Sequence, residues 1–413
     1  MAARRTVRDL RRDNRTAVLR QLYFGGTTSR LEVAHLTGLS PATVGTVVGE
    51  LLHEGVVEET GQMESEGGRP ATLLDIRRDR AFAIGVDVGE TGVRAELFDL
   101  RLQTQRATVR TLSATDPSPA EVVRVLKGAV DYLKGDIPAG VQLLGVGVGV
   151  PGIVDDHDHT VVYVPSIGWD GVPLHAMLLD ALGGRVWIDN GAKTMGRAEA
   201  WFGEGREVSN LVVTLIGTGV GAALISDGTI YRGATSSAGE WGHTKIVVGG
   251  AACRCGAKGC LEAYIGADAI VARYRRFNRS VPAGLGQVAA LQHLADALKQ
   301  GRAPAQKTLE ETATYLAVGI GNLTNMLNPA KIVLGGYVGL LLGPVLLPLV
   351  RERLADYALR PAADRVVLAL SAFGPDAVAL GAATLPVEHF LRTGGRTLSA
   401  HDDGTELSNL SAS

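Results

Sequence analysis

Between Glu240 and Glu262 the chain reads EWGHTKIVVGGAACRCGAKGCLE, a stretch that holds all three cysteines of the protein, one histidine and two glutamates. Cys253, Cys255 and Cys260 fall within eight residues, and Gly256 and Gly259 let the backbone turn tightly enough for three thiolates to converge. Structural zinc takes four soft or borderline donors in a tetrahedron, so one ligand is still missing. His243, ten residues before Cys253, is the nearest candidate. The competing reading is three reduced, buried thiols beside an unrelated histidine. The CxCGxxGC spacing favours a structural Zn2+ loop over 243–260.

The same stretch resembles the signature of the ROK family of bacterial repressors and sugar kinases, ExGHx(9)CxCGxxGCxE, at every fixed position. The resemblance implies that His243, Cys253, Cys255 and Cys260 hold the zinc, and that Glu240, His243 and Glu262 line a sugar pocket. The chemistry is compatible, because a carboxylate accepts hydrogen bonds from neighbouring sugar hydroxyls and a metal loop fixes the side chains around it. Gly152 and Asn190 complete the expected sugar contacts. Trp169 and Trp241 are candidates to border the pocket, although tryptophans near such motifs are more often core.

In the family's kinases, glycine-rich loops hold ATP and one aspartate takes a proton from the sugar hydroxyl. The first loop, DxGGTK in those kinases, is here Asp87, Val88, Gly89, Glu90, Thr91, Gly92: an acid replaces a glycine and the lysine is gone. Both changes oppose ATP, since a carboxylate beside phosphate oxygens is repelled in a partly dry cleft. The second loop, Gly217 to Gly221, is intact, and Gly335 with Gly336 matches the adenosine-side pair. The segment IDNGAKTMGRAEA aligns with the family's ENDANAAALGE through Asn190, Ala192 and Glu199, which puts Gly191 in the aspartate's place. General-base assistance is worth about 10² to 10⁴ in rate, so the chain is expected to bind sugar without acting as an enzyme. Only a register shift would let Asp189 serve instead.

These residues need a scaffold, and the first 79 residues read as a winged helix-turn-helix. Ser29 with Glu32 opens a helix through Leu31, Val33, Ala34 and Leu36. Ser40 and Pro41 open a second, with Val44, Val47, Val48, Leu51 and Leu52 at helical spacing. The alternating VVEE and ATLLDI stretches around GGRP read as the wing, which also resembles the repressors of the family. Residues 1–30 carry Arg4, Arg5, Arg8, Arg11, Arg12, Arg15, Arg20 and Arg30 against Asp9 and Asp13, a local charge of +6. That pattern reads as a phosphate-binding arm. Arg15, Arg30 and Arg69 are the expected phosphate contacts with double-stranded operator DNA, Ser40 is exposed at the start of the second helix as a further expected DNA contact, and Thr43 and Thr46 are expected to touch base edges or thymine methyls. A protein-interaction module is the competing reading of the unit.

From residue 80 to 391, valine- and glycine-rich strands alternate with amphipathic helices, as in an α/β protein of two lobes. The order resembles the actin-like, ribonuclease H-like fold of sugar kinases. Residues 392–413, rich in Ser, Thr, Gly and Asp, are expected to be a disordered tail. The 413 residues carry 41 basic and 43 acidic side chains, so any contact with nucleic acid must come from local clustering. Three cysteines suit a reducing compartment rather than a disulfide framework. The most apolar stretch, Val338 to Val350, is broken by Pro344 and Pro348 and is shorter than the ~20 residues that span a bilayer. The reading is a cytoplasmic transcription regulator, a repressor acting as a dimer or tetramer, whose kinase-like body senses a sugar or sugar derivative. An ATP-dependent, glucokinase-like sugar kinase with an accessory DNA-binding domain is the alternative, and a body that responds to another protein is a third.

Overall fold

The computed structural model describes residues 6–63, 70–113, 117–155 and 160–396. The N-terminal unit comprises α1 (Val7–Gly25), β1 (Thr28–Ser29), α2 (Arg30–Thr37), α3 (Pro41–His53), β2 (Val57–Met63) and β3 (Ala71–Ile76), with the strands paired β1-β3-β2. Ser29 caps α2 through the Glu32 N–H, Gly38 ends it in the left-handed region, and Ser40 caps α3 through the Thr43 N–H. The brief turn between the two helices is therefore set by local chemistry, as read from the sequence.

Residues 7–25 are not an extended arm. A capping box between Thr6 and Asp9 starts α1, and Val18, Leu19, Leu22 and Tyr23 form a fully buried stripe at helical spacing. Burying such side chains is worth roughly 1.5–3 kcal/mol each, far more than an exposed cationic arm would gain from self-repelling charge.

The first lobe follows: β4 (Ala81–Val88), β5 (Gly92–Asp99), β6 (Thr104–Thr111), α4 (Pro119–Lys134), β7 (Gln142–Val150), β8 (Ile153–Asp155), β9 (Val161–Val164), β10 (Trp169–Val172), α5 (Leu174–Leu182) and β11 (Val186–Asn190). The second has α6 (Gly191–Phe202), β12 (Leu211–Ile216), β13 (Val220–Ser226), β14 (Thr229–Ile230), α7 (Glu262–Ile265), α8 (Ala267–Phe277), α9 (Gln287–Lys299), α10 (Ala303–Leu327), β15 (Lys331–Gly335), α11 (Gly336–Arg353), α12 (Arg360–Ala363) and β16 (Val367–Leu370); α13 (Ala377–Arg392) closes the fold. The main sheets run β6-β5-β4-β7-β11 and β14-β13-β12-β15-β16. Each is an antiparallel meander followed by two parallel strands, so the lobes repeat one plan.

Helices α6 and α13 lie where the two lobes meet. Glycine makes their approach possible: a Cβ on Gly85 or Gly147 would collide with the carbonyls of Ala379 or Ala382 on α13, and one on Gly381 with the carbonyl of Thr194 on α6. Within LLGVGVGVPG, Gly147 and Gly149 thus serve helix-on-sheet packing, while Gly145 abuts Trp187 and Arg185 of the neighbouring strand segment. One continuous core joins the N-terminal unit to this layer, with Val18, Leu19, Leu22, Val56 and Ile76 packed with Ala81, Phe98, Leu380, Val387 and Phe390. Trp201, near the end of α6, meets Phe24 and Tyr23 edge-on at 5.0 and 6.0 Å. Residues 392–396 belong to this arrangement rather than to a tail: α13 ends at Arg392, and Gly394 and Gly395 turn back over Arg15 and Leu19. Residues 397–413 lie outside the described residues.

Candidate functional site

The metal loop folds back on itself through bridges at Lys245–Cys260 and Ala252–Lys258, with Gly256 and Gly259 at positive φ. A Cβ at Gly259 would collide with the Val247 carbonyl, so the turn there needs glycine. The ligand atoms of His243, Cys253, Cys255 and Cys260 all lie within 4.8 Å of one another. Cys255 Sγ is 3.8 Å from Cys260 Sγ, and Cys253 Sγ is 3.7 Å from His243 Nδ1. A tetrahedron with metal–sulfur bonds of about 2.3 Å has sulfur–sulfur edges of about 3.8 Å, so the donor set fits a zinc-sized cation. Burial pushes the Cys253 thiol up to about 12, and a cation bound among the four donors would favour its thiolate.

Facing this loop are the expected sugar contacts. His243 Nε2 lies 3.9 Å from Glu240 Oε2. With Nδ1 turned to the cysteines, Nε2 is the nitrogen left to carry a proton toward Glu240 or a hydroxyl between them. Burial raises the Glu240 carboxyl above the usual carboxylate range, an effect that His243 and Lys193 oppose. Glu262, only 8% exposed, is more constrained than the sequence implied. Its Oε2 accepts the Val220 N–H at 2.9 Å and its Oε1 lies 3.6 Å from Cys253 Sγ. The carboxylate thus braces both the metal loop and the Gly217–Gly221 turn.

Across the seam, Asn190 ends β11. Its Oδ1 caps α6 by accepting the Ala192 and Lys193 N–H groups, and its Nδ2 donates to the Gly152 carbonyl at 2.6 Å. Gly152 has φ +77°, and a Cβ there would collide with the Tyr163 carbonyl. Lys193 Nζ donates to the Ser236 carbonyl, and Asp189 takes a fork from Arg232 at 2.6 and 3.1 Å. Both bonds draw the loop before Glu240 onto the start of α6. Asp189, the residue that a register shift would put in the base's place, is 1% exposed and paired with Arg232. Gly191 opens α6 with real space beside it: a Cβ would stand 3.6 Å from Val150 O and 3.8 Å from Val378 Cγ1, ordinary contacts.

Both glycine-rich loops are engaged by protein groups. Glu90, on the β4–β5 turn, forms a bidentate pair with Arg254 of the metal loop, with both N···O distances 2.9 Å. At the second loop, a Cβ on Gly217 would stand 3.0 Å from the Tyr337 ring. Tyr337 Oη lies 3.0 Å from Thr218 Oγ1 and donates to Gln287. Burial pushes the Tyr337 hydroxyl up to about 12 and the Asp87 carboxyl up to about 7. Trp169 and Trp241 are core residues, their indole N–H groups donating to the carbonyls of Pro117 and Gly319.

Residues 83–388, well over half of the chain, match the ROK family. The chain belongs to the ROK family. The xylose repressor of Bacillus subtilis is 27% identical over 380 residues, which cover 92% of this chain and 96% of that protein. A solved ROK family transcriptional regulator, a homologue of the E. coli MLC protein, superposes with TM-score 0.78 at 24% identity and covers 94% of this chain and 98% of its own. The ROK family glucokinase from Streptomyces griseus, solved in complex with glucose and AMPPNP, superposes with TM-score 0.65 at 26% identity over 74% of this chain and 99% of its own.

In this ROK protein the N-terminal residues divide. Ser40 and Thr43 are linked at 2.9 Å at the start of α3, and Thr46 bonds back to the Ala42 carbonyl; Ser40 and Thr46 are exposed. Arg30 is half-exposed and paired with Glu59 at 3.1 Å. Arg69 lies outside the described residues. Arg15 corrects the expectation of a phosphate contact: it is 3% exposed and turned inward, donating to Gly394, Glu50 and Glu54. Arg254 and Tyr337 are the residues that sequence reasoning missed. Arg254 stands inside CxC, a position the metal motif leaves open, and nothing local marks Tyr337 beyond its place after Gly335 and Gly336.

Proposed function

We propose that this chain is a sugar-responsive transcriptional repressor of the cytoplasm, with α3 and the β2–β3 wing reading operator DNA and the two-lobed body binding the effector. The observation that carries this reading is the extent of likeness to the xylose repressor. It spans 92% of the chain, and the remainder is too short to contain the N-terminal unit. D-xylose is accordingly the first effector to test. Ser40, Thr43 and Thr46 meet base edges, while Arg30 and Arg69 meet phosphates. A sugar held by Gly152, Asn190, Glu240, His243 and Glu262 closes the lobes, and α6 and α13 carry that movement into the shared core. Palindromic operators are read at about 34 Å intervals by dimers, so a small rotation uncouples one half-site.

His243, Cys253, Cys255 and Cys260 would hold a zinc ion, which would anchor the pocket loop, and His243, ligating through Nδ1, would keep its proton on Nε2. The body performs no phosphoryl transfer on this reading. Gly191 offers no proton acceptor, Glu90 is locked on Arg254 where phosphate oxygens would approach, and Tyr337 covers the second glycine loop. The intact Gly217–Gly221 turn favours the second reading, an ATP-dependent sugar kinase. One pair of assays decides between them. Anisotropy should show tight binding to the protein's own promoter DNA and release by D-xylose or a related sugar, while a coupled assay with ATP should show no phosphorylated product. Turnover without sugar-dependent release would establish the kinase instead.

A further inference from the structure

Among the described N-terminal arginines, Arg15 is the one turned inward, and its guanidinium serves three acceptors. Arg15 Nε donates to the Gly394 carbonyl at 2.6 Å, its Nη1 to Glu50 Oε2 at 3.1 Å and its Nη2 to Glu54 Oε2 at 2.5 Å. Glu50 lies in the last turns of α3 and Glu54 caps that helix, so both acids belong to the helix proposed to read DNA. Gly394 belongs to the turn that follows α13. One planar fork therefore joins the reading helix to the end of the body's last helix. The seat is shaped for an arginine stem: a Cβ on Gly394, whose φ is +69°, would stand 3.1 Å from Arg15 Cγ and Cδ. Thr16 adds a second tie, its hydroxyl donating to the Arg392 carbonyl at 3.2 Å.

The other end of α13 sits at the cleft. Val378 borders the space beside Gly191, and Gly149 of β7 also abuts Val378. The 16 residues of α13 span about 24 Å, and the close glycine approaches along it leave no slack against the sheet. Something placed beside Gly191 therefore touches Val378 near the start of a helix that contains Pro386 and is packed tightly on the sheet, and the turn at its far end holds Arg15.

We propose that Arg15 is a positioning residue that couples the orientation of α3 to α13, so that DNA-reading geometry and cleft occupancy are linked through its guanidinium, beside the Thr16 tie and the shared core, rather than through contact of Arg15 with DNA. This rests on the reading of α3 as the DNA-reading helix. Linkage is reciprocal, so DNA bound at α3 must be felt at the end of α13.

The test uses the full-length protein and the duplex that the wild type enriches from a random-sequence pool. If no duplex is enriched, the DNA-reading proposal fails and takes this one with it, before any variant is made. With wild type, DNA binding should slow hydrogen exchange in α3 and also at the amides of Thr393, Gly394 and Gly395, which donate to His389, Leu391 and Phe390. The expected slowing at these three is about tenfold, within the usual range of allosteric coupling. Protection confined to the N-terminal unit would overturn the proposal without recourse to a variant. Arg15→Lys keeps the charge but cannot serve three divergent acceptors. It should bind DNA with the wild-type dependence on salt and protect α3, yet lose the protection at 393–395. In Arg15→Gln, which removes the charge, the slope of log K against log salt should stay at the wild-type value, and a fall of about one would make Arg15 a phosphate contact and sink the idea. So would full protection at 393–395 in Arg15→Lys.

Discussion

Replacing Gly191 with aspartate separates the two readings of the body. Gly191 is the first residue of α6, its φ is not positive, and a Cβ there meets Val150 O and Val378 Cγ1 at 3.6 and 3.8 Å, so the backbone and the space both accept a side chain. Leaving glycine for another residue in a helix gains up to about 1 kcal/mol, and an acid in the first turn gains about 0.3–1 kcal/mol from the helix dipole. Desolvation of the new carboxylate opposes both, so net stability should stay within about 1 kcal/mol of wild type, a melting shift of about 2 °C or less in a chain of this size. A restored base is worth about 10² to 10⁴ in rate, or about 3–5 kcal/mol in the barrier. None of that should appear as turnover. The Glu90–Arg254 fork and Tyr337 still occupy the two glycine-rich loops, and each charge-assisted bond that a nucleotide displaced would cost about 1.5–3 kcal/mol. The assay pairs a thermal melt with a coupled measurement of sugar phosphorylation at millimolar ATP. Turnover near 1 s⁻¹ or above in Gly191→Asp, an ordinary enzymatic rate, would show that the glycine loops still hold nucleotide and refute the argument.

Further outcomes follow from the same geometry. Cys255→Ser, or treatment with a strong chelator, should lower metal content measured by elemental analysis and abolish sugar binding by calorimetry, since Glu240 and Glu262 lose their anchor; unchanged sugar affinity would detach pocket from loop. Asp87 titrates near 7 in the fold because burial disfavours its charge, against about 3.9 when unfolded. Its contribution to stability is therefore fully present below the unfolded value and is lost as pH rises through about 7. Asp87→Asn should raise the melting temperature more at pH 8 than at pH 5, and equal shifts at the two would contradict the assignment. Trp201→Ala removes the edge-on contacts to Tyr23 and Phe24, and should cost about 3 kcal/mol in denaturant unfolding. It should also expose the chain near residue 80 to proteases, whereas a loss under about 1 kcal/mol would mean that the N-terminal unit stands alone.

What could be read from residues alone was whatever local spacing encodes. The metal ligands lie within one short segment, and the caps Ser29 and Ser40 act on N–H groups three residues away, so both were visible without a fold. The two lobes were legible because strands and helices alternate with different periods. Long-range partners were not. Arg254 and Glu90 are 164 positions apart, and nothing in either neighbourhood announces the other. Arg15 was misread because a charge count does not say which side of a helix a cation occupies. The stripe Val18, Leu19, Leu22 and Tyr23 was present in the sequence, and weighing it would have turned the arm into a helix with Arg15 near its buried side. The strand glycines were ambiguous for another reason: a glycine that cradles phosphate and one that admits a helix backbone are the same residue, and only α13 lying on Gly85 and Gly147 separates the cases.

The apolar interior that runs unbroken past residue 80, from Val18 and Ile76 to Phe98 and Val387, also limits how such a protein can be rebuilt. A chimera spliced at that junction would join two half-interfaces shaped for different neighbours, leaving mismatched wet surface on both pieces. Exchanging DNA readers between relatives therefore requires transplanting α1 together with the last helix it grips.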